Sequence, residues 1–229
     1  MAEFKKANDY YQKSDYENAI VTYEGLVKKG ATSAEVYYNL GNCYFKTGNV
    51  AKTILNYERA RKLAPDDEDI DFNIRIAQLK VIDRMDAVPE IFYKRWMKAA
   101  ASLFSSDTWS KILIVNAWIL FVFLALYITG RSSGLKKFSF VMTFIMIILG
   151  VFSFIFSHQS YTMTELDQKA IVMSPSVYVK SSPDEKGTDQ FIIHEGTRID
   201  VLDEIGEWKK IRIANGSVGW LKMEAIEVI

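Results

Sequence analysis

Two apolar runs constrain this chain more than any other feature. ILIVNAWILFVFLALYIT (112–129) and FSFVMTFIMIILGVFSFIFS (138–157) contain no charged side chain. Each is close to the ~20 residues with which an α-helix crosses ~30 Å of hydrocarbon. Two such runs in tandem rarely fit a soluble fold, so the expectation is a pair of membrane-spanning helices within 108–158. Asn116 is the strongly polar side chain inside them. It is expected to bond across the helix pair, because two helices with so little polar surface make no pore.

Two crossings put both chain ends on one side and the connecting loop on the other. That loop, 130–137, concentrates Arg131, Lys136 and Lys137, whereas Lys94, Arg95, Lys98 and Lys111 are spread more widely before the first run. The density of positive charge favours a cytoplasmic loop. Residues 86–107 read as a linker with an amphipathic helix over EIFYKRWMKAAASLF (90–104), where Phe92, Trp96, Ala99 and Leu103 share a face. Such a helix suits the lipid headgroup layer, and equally an ordinary packing site on the preceding domain. Ser106 and Asp107 supply capping chemistry just before the first span.

The rest of the 229-residue chain is polar, with 28 basic and 28 acidic residues. No basic surplus points to nucleic acid. The single cysteine, Cys43, forms neither an intrachain disulfide nor a cysteine zinc site, and two histidines are few for a metal site. No metal or cofactor is expected.

Before the first span a 34-residue period pairs Asn8 with Asn42, Tyr10 with Tyr44, Ile20 with Ile54, Tyr23 with Tyr57 and Glu24 with Glu58. The second unit, AEVYYNLGNCYFKTGNVAKTILNYERARKLAPDD, resembles the tetratricopeptide repeat through Tyr37, Leu40, Gly41, Tyr44, Tyr57, Ala60 and Pro65, with Thr53 where that family usually has Ala. The first unit matches through Ala7, Tyr10, Ala19 and Tyr23. Small residues at 7, 19, 41 and 60 let paired helices approach, and tyrosines fill the space between pairs. Residues 68–85 keep helical periodicity without the signature and read as a capping helix, closing a repeat domain over 1–85.

The resemblance implies a concave, peptide-binding face. Here it would show Phe4, Asn8, Tyr11, Tyr38, Asn39, Asn42, Phe45 and Asn73. Asparagine amides can pair with a peptide backbone while aromatics grip its side chains. The same asparagines can instead hold helix geometry. Some relatives clamp a terminal carboxylate; Asn8 and Asn39 match that clamp, but Phe4, Asp69 and Asn73 replace its basic residues, which argues against carboxylate binding here.

After a linker at 159–169 the period changes to that of strands over 170–229. Asn215-Gly216 predicts a two-residue hairpin. Ile199, Val201, Trp208, Ile211, Ile213, Val218, Trp220 and Ile226 are expected to fill a small core. VKSSP, HEGT, a Trp after a turn, and GSVGWL resemble the bacterial SH3-like barrel. Tyr178, Trp208 and the 180–190 loop are its candidate ligand site. The fold class is therefore multidomain: all-α helical repeats, two transmembrane helices and a small all-β barrel.

Catalytic signatures are missing: no phosphate loop, HExxH, GxSxG or dinucleotide fingerprint occurs. Asp184-Glu185 and Asp203-Glu204 fall in predicted turns and read as solvated surface, and His194 as structural or solvated. A non-enzymatic role is expected. The competing expectation is an envelope hydrolase or peptidoglycan-binding protein that uses the barrel to hold cell-wall material.

The full order, with YYNLGN, LNYERA, DEDIDFNIRIA, SPSVYVKSSPDEKGTD and AIEVI, resembles the E component family of the Bacteroides aerotolerance (Bat) system. The resemblance implies a two-pass inner-membrane protein of the cell envelope, linked to stress tolerance. Its repeats and barrel would be periplasmic and loop 130–137 cytoplasmic. It implies protein partners: other Bat components with von Willebrand factor A domains, and a MoxR-type ATPase, with membrane lipid around the spans. It also implies a cleaved leader, which MAEFKKANDYY does not supply; either the leader is omitted from this sequence, which the clipped first repeat favours, or both chain ends are cytoplasmic.

Overall fold

The computed structural model describes residues 2–83, 92–163 and 168–229, so the expected linkers and the ends of the capping and amphipathic helices fall partly outside the described residues. The chain forms two compact units. One holds the repeats and the C-terminal strands, and the other holds the apolar helices.

In the first unit, α1 (Ala2–Gln12) pairs with α2 (Tyr16–Lys28), and α3 (Ala34–Thr47) with α4 (Val50–Leu63); α5 (Glu68–Gln78) follows. Side chains set the helix starts. Asp15, Ser33, Asn49 and Asp67 each accept a backbone N–H from the first turn of α2, α3, α4 and α5. Gly48 ends α3 in the left-handed region at φ 82°, where a Cβ would be strained. The period explains the packing. Ala7 and Gly41 occupy equivalent buried sites, and a Cβ on Gly41 would meet the Tyr57 ring at 2.6 Å. Tyr23 and Tyr57, also equivalent, are 0% and 1% exposed. Burial pushes the Tyr23 hydroxyl up to about 12, and the Cys43 thiol likewise up to about 12.

The C-terminal strands are β1 (Gln168–Val172), β2 (Ser176–Lys180), β3 (Asp189–His194), β4 (Arg198–Ile205), β5 (Trp208–Arg212), β6 (Val218–Lys222) and β7 (Ile226–Val228). They form one antiparallel sheet in the order β3-β2-β6-β5-β4-β1-β7, with β3 and β7 at its edges. Ala170, Val172, Val179, Ile193, Ile199, Val201, Ile211 and Leu221 make one core cluster. These residues come from strands several ~4.8 Å spacings apart, so the sheet curls around them. Of the expected core, Trp208 instead lies half-buried and Val218 is 37% exposed, whereas Trp220 is buried.

The hairpin at Asn215-Gly216 differs from expectation. Ile213 N–H donates to the Ser217 carbonyl and Gly216 N–H to the Ile213 carbonyl, which makes a three-residue loop, 214–216. A two-residue type I′ turn needs positive φ at both central residues. Here Gly216 has φ 91° and Asn215 does not share that region.

Repeats and sheet share a packed boundary. Ala170 and Val172 point into the sheet's own core, while Ile171 between them joins a cluster with Ala51, Ile54, Leu55, Ile70, Ile74 and Val81. Strand alternation puts neighbours on opposite faces, so β1 is buried on both. The turn between β3 and β4 lies flat on the helices. A Cβ on Gly196 (φ 81°) would meet Val50, Val81 and Ile54 at 3.2–3.3 Å. Asp83 accepts from His194 N–H (2.6 Å) and the Thr197 hydroxyl (2.7 Å), and its other oxygen lies 2.8 Å from His194 Nδ1. Burial raises the Asp83 pKa, but these hydrogen bonds outweigh it and hold the carboxyl below its ordinary value. Glu58, 3% exposed, pairs with Arg61 and lies 3.3 Å from Arg198 of β4. Arg59 binds Glu227 and the Val228 carbonyl of β7.

The second unit contains α6 (Phe92–Ala101), α7 (Ser106–Thr129) and α8 (Ser133–Tyr161). At 24 and 29 residues, α7 and α8 are about 36 and 44 Å long at 1.5 Å per residue. Both are long and apolar enough to span a membrane, and only 6% and 11% of their most apolar stretches are buried. The expected loop is shorter than 130–137: α8 starts at Ser133, so Lys136 and Lys137 lie on its first turns. Along α8, positions 139, 143, 146, 150, 153, 157 and 160 alternate steps of four and three, and carry Ser, Thr, Met, Gly, Ser, Ser and Ser. This is a seam narrow enough for a helix to approach closely. Asn116, 9% exposed, donates to Met146 Sδ at 3.6 Å, and its oxygen sits 3.3 Å from where a Gly150 Cβ would lie. Ser110 and Ser157 bond across the pair at 2.9 Å. α6 is tied to the end of this hairpin by Trp109 Nε1–H donating to the Ala101 carbonyl and by Ser160 donating to the Phe104 carbonyl. Phe92 and Trp96 remain 65% and 75% exposed.

Candidate functional site

The eight residues singled out on the repeats all lie half-buried on α1, α3 and α5. Helical geometry brings them to one surface because they recur at matched places: Phe4 and Tyr38, Asn8 and Asn42, Tyr11 and Phe45, Asn39 and Asn73, each 34 apart. The asparagines are engaged inside the fold. Asn8 Oδ1 accepts from the Tyr23 hydroxyl and, at 3.2 Å, from Asn39 Nδ2. Asn42 Oδ1 accepts from the Tyr57 hydroxyl at 2.6 Å. Asn73 Nδ2 donates to the Tyr38 hydroxyl and to the Asp69 carbonyl, both at 2.8 Å. Each repeat therefore ties its buried tyrosine to an asparagine on the first helix. The aromatic edges stay at the surface, and Lys80 Nζ stands 3.9 Å above the Phe45 ring.

These geometries match a known architecture. Residues 34–67 match the tetratricopeptide repeat. Residues 7–48 match a TPR repeat model as well, so the two together cover 7–67. No curated protein matches the chain. The chain is thus a TPR-containing protein, and such repeats are typically interaction modules without catalysis of their own.

Sequence reasoning passed over three residues of the same face. Continuing the period from Tyr38, Asn42 and Phe45 reaches Phe72, Ile76 and Leu79, which are 55%, 36% and 62% exposed. The signal was present in the register and hidden by the loss of the repeat signature in α5.

The second candidate site lies on the sheet. Tyr178, Trp208 and Glu185 of the 180–190 loop line one open groove of about 380 Å³, with Ser174, Lys180 and Lys222 beside them. Lys222 pairs with Glu185 and reaches within 6.0 Å of the Trp208 ring, so the loop is tethered over the groove. Lys180 Nζ donates to the Gly187 carbonyl (3.2 Å) and to Asp189 (3.0 Å), which steadies the same loop. Tyr178 is 59% exposed. An aromatic pair flanked by charges can stack a flat or apolar group while polar atoms orient it. Among the described residues no three His, Cys, Asp or Glu side chains gather closely enough to hold a metal ion.

Proposed function

We propose that this protein is a membrane-anchored adaptor of the bacterial cell envelope. In this reading α7 and α8 cross the inner membrane as a hairpin. The repeats and the sheet are periplasmic, and loop 130–137 is cytoplasmic. The repeats bind protein partners across the surface of α1, α3 and α5; the sheet is an SH3-like module. The observation that carries the reading is the coupling of an interaction repeat to a helix pair whose apolar side chains face outward. Trp118, Phe121, Phe144 and Phe154, at 60–70% exposure, have no reason to be on a water-facing surface.

The order of segments further supports membership of a Bat-type complex, with von Willebrand factor A domain proteins and a MoxR-type ATPase as partners. The test is co-expression with such components and purification in mild detergent. Co-purification with a von Willebrand factor A domain protein, lost when the repeats are deleted, supports the adaptor. Partners retained without the repeats would overturn it.

The Tyr178–Trp208 groove favours a second reading, a wall-binding or wall-cleaving protein. Sedimentation with purified peptidoglycan, abolished by Trp208→Ala, would support it, and release of soluble fragments would add hydrolysis.

A further inference from the structure

If the repeat face binds a partner, as proposed above, its chemistry also says what kind of segment it takes. α5 buries Ile70, Ile74 and Ala77 against α4. Phe72 and Ile76 form a second apolar stripe, about 200° round the helix from the first. A helix with apolar residues on opposite sides calls for cover on both. The last helix of a repeat array ordinarily turns a polar side outward; α5 exposes Phe72 and Ile76 among Glu68, Asp69, Arg75 and Gln78, with the Arg75 guanidinium 5.9 Å from the Phe72 ring. The asparagine oxygens of the neighbouring columns are already committed to Tyr23 and Tyr57. What the face offers is therefore mainly ring and aliphatic surface.

Its two rims differ in charge. Glu35 and Asp69, 34 apart and both exposed, stand at the N-terminal ends of α3 and α5. Lys46 and Lys80, also 34 apart and exposed, stand at the C-terminal ends. Charges in these places suit the helix dipoles on their own. Lys80 goes further, because its ammonium is held over the Phe45 ring at the edge of the apolar floor. We propose that this face takes a partner segment with an apolar ridge whose one flank carries acidic side chains, which meet Lys46 and Lys80.

The experiment uses a random twelve-residue peptide library displayed on phage, panned against the full chain in nanodiscs. The Phe72→Asp, Ile76→Asp double variant serves for counter-selection; both positions are exposed, and a circular-dichroism melt checks its fold. Should that variant melt early, Phe72→Gln with Ile76→Gln replaces it. The expected outcome is peptides combining Leu, Phe or Ile with Asp or Glu, bound at least tenfold more weakly by Lys46→Glu, Lys80→Glu. Apolar peptides without acidic bias, indifferent to the lysine reversal, would overturn the inference while leaving the face as a partner site. Peptides that never distinguish the wild type from the Phe72/Ile76 variant would overturn both.

Discussion

Removing the Asp83 carboxylate should loosen the sheet from the repeats. Three groups of the β3–β4 turn meet Asp83, at 2.6, 2.7 and 2.8 Å, and its side chain is 10% exposed. A hydrogen bond to a charged group contributes about 1.5–3 kcal/mol, and a buried donor left without its acceptor costs about 1–3 kcal/mol. The three bonds share one carboxylate and water can enter the emptied site, so these values do not add. About 3 kcal/mol for Asp83→Ala is the reasonable total, or roughly a 150-fold shift in the opening equilibrium. Hydrogen exchange on the full chain in nanodiscs reads this directly. The amides of β1 and of residues 193–198 should lose roughly two decades of protection, while α1–α2 amides keep theirs. Asp83→Asn should lose less protection than Asp83→Ala, because an amide oxygen in the place of Oδ2 still accepts from His194 N–H and the Thr197 hydroxyl while the charge is gone. The coupling should also depend on acid. The folded carboxyl titrates below its ordinary value of 3.8. Its contribution is therefore complete above that value and fades as pH falls through the folded pKa. Asp83→Ala should remove this acid dependence. A change in β1 protection of less than threefold would refute the reasoning.

Other consequences are as specific. Gly41→Val should destabilise the repeats by about 2–3 kcal/mol in a urea melt, since even a Cβ there falls on the Tyr57 ring. Ile171→Asp should expose the boundary and melt sheet and repeats together, because it places a carboxylate in a cluster that is otherwise apolar. Cys43 should resist maleimide at neutral pH until the chain unfolds, as burial pushes its thiol up to about 12. Gly150→Leu should weaken the α7–α8 pair, measured as easier thermal unfolding in detergent, because the seam at Asn116 has no room for the added branch.

Much of this fold was legible because it is periodic. The 34-residue register carries Ala7 onto Gly41, Tyr23 onto Tyr57 and Asn8 onto Asn42, and structure then supplies the reason in the tyrosine–asparagine bonds. Charge-free length was enough to expect the two long helices. The four-and-three spacing of small residues on α8 could have been read too, but uniform hydrophobicity drowns it. The boundary between repeats and sheet was not legible. Asp83 and His194 are 111 residues apart, and no local pattern joins them. One hint existed in Ala170-Ile171-Val172, three apolar residues in a row where a strand with one wet face would alternate. Asn-Gly likewise serves two- and three-residue hairpins, and only the backbone angles distinguish them. Of the candidate sites, Tyr178 and Trp208 were singled out through the resemblance to SH3-like barrels, and the structure brings them to one groove. Phe72 and Ile76 were passed over because α5 loses the repeat signature, so that Asn73 alone was carried onto it.

In the proposed arrangement the hairpin is a membrane anchor, with repeats and sheet on the same side. The direct measurement is thiol accessibility in a Cys43→Ala background, with single cysteines at Thr32, Ser132 and Ser217. Spheroplasts are treated with a membrane-impermeant maleimide before and after lysis. Positions 32 and 217 should label on intact cells, and position 132 only after lysis. Labelling of 132 alone on intact cells would reverse the orientation, and identical behaviour of all three positions would contradict the two-span anchor itself.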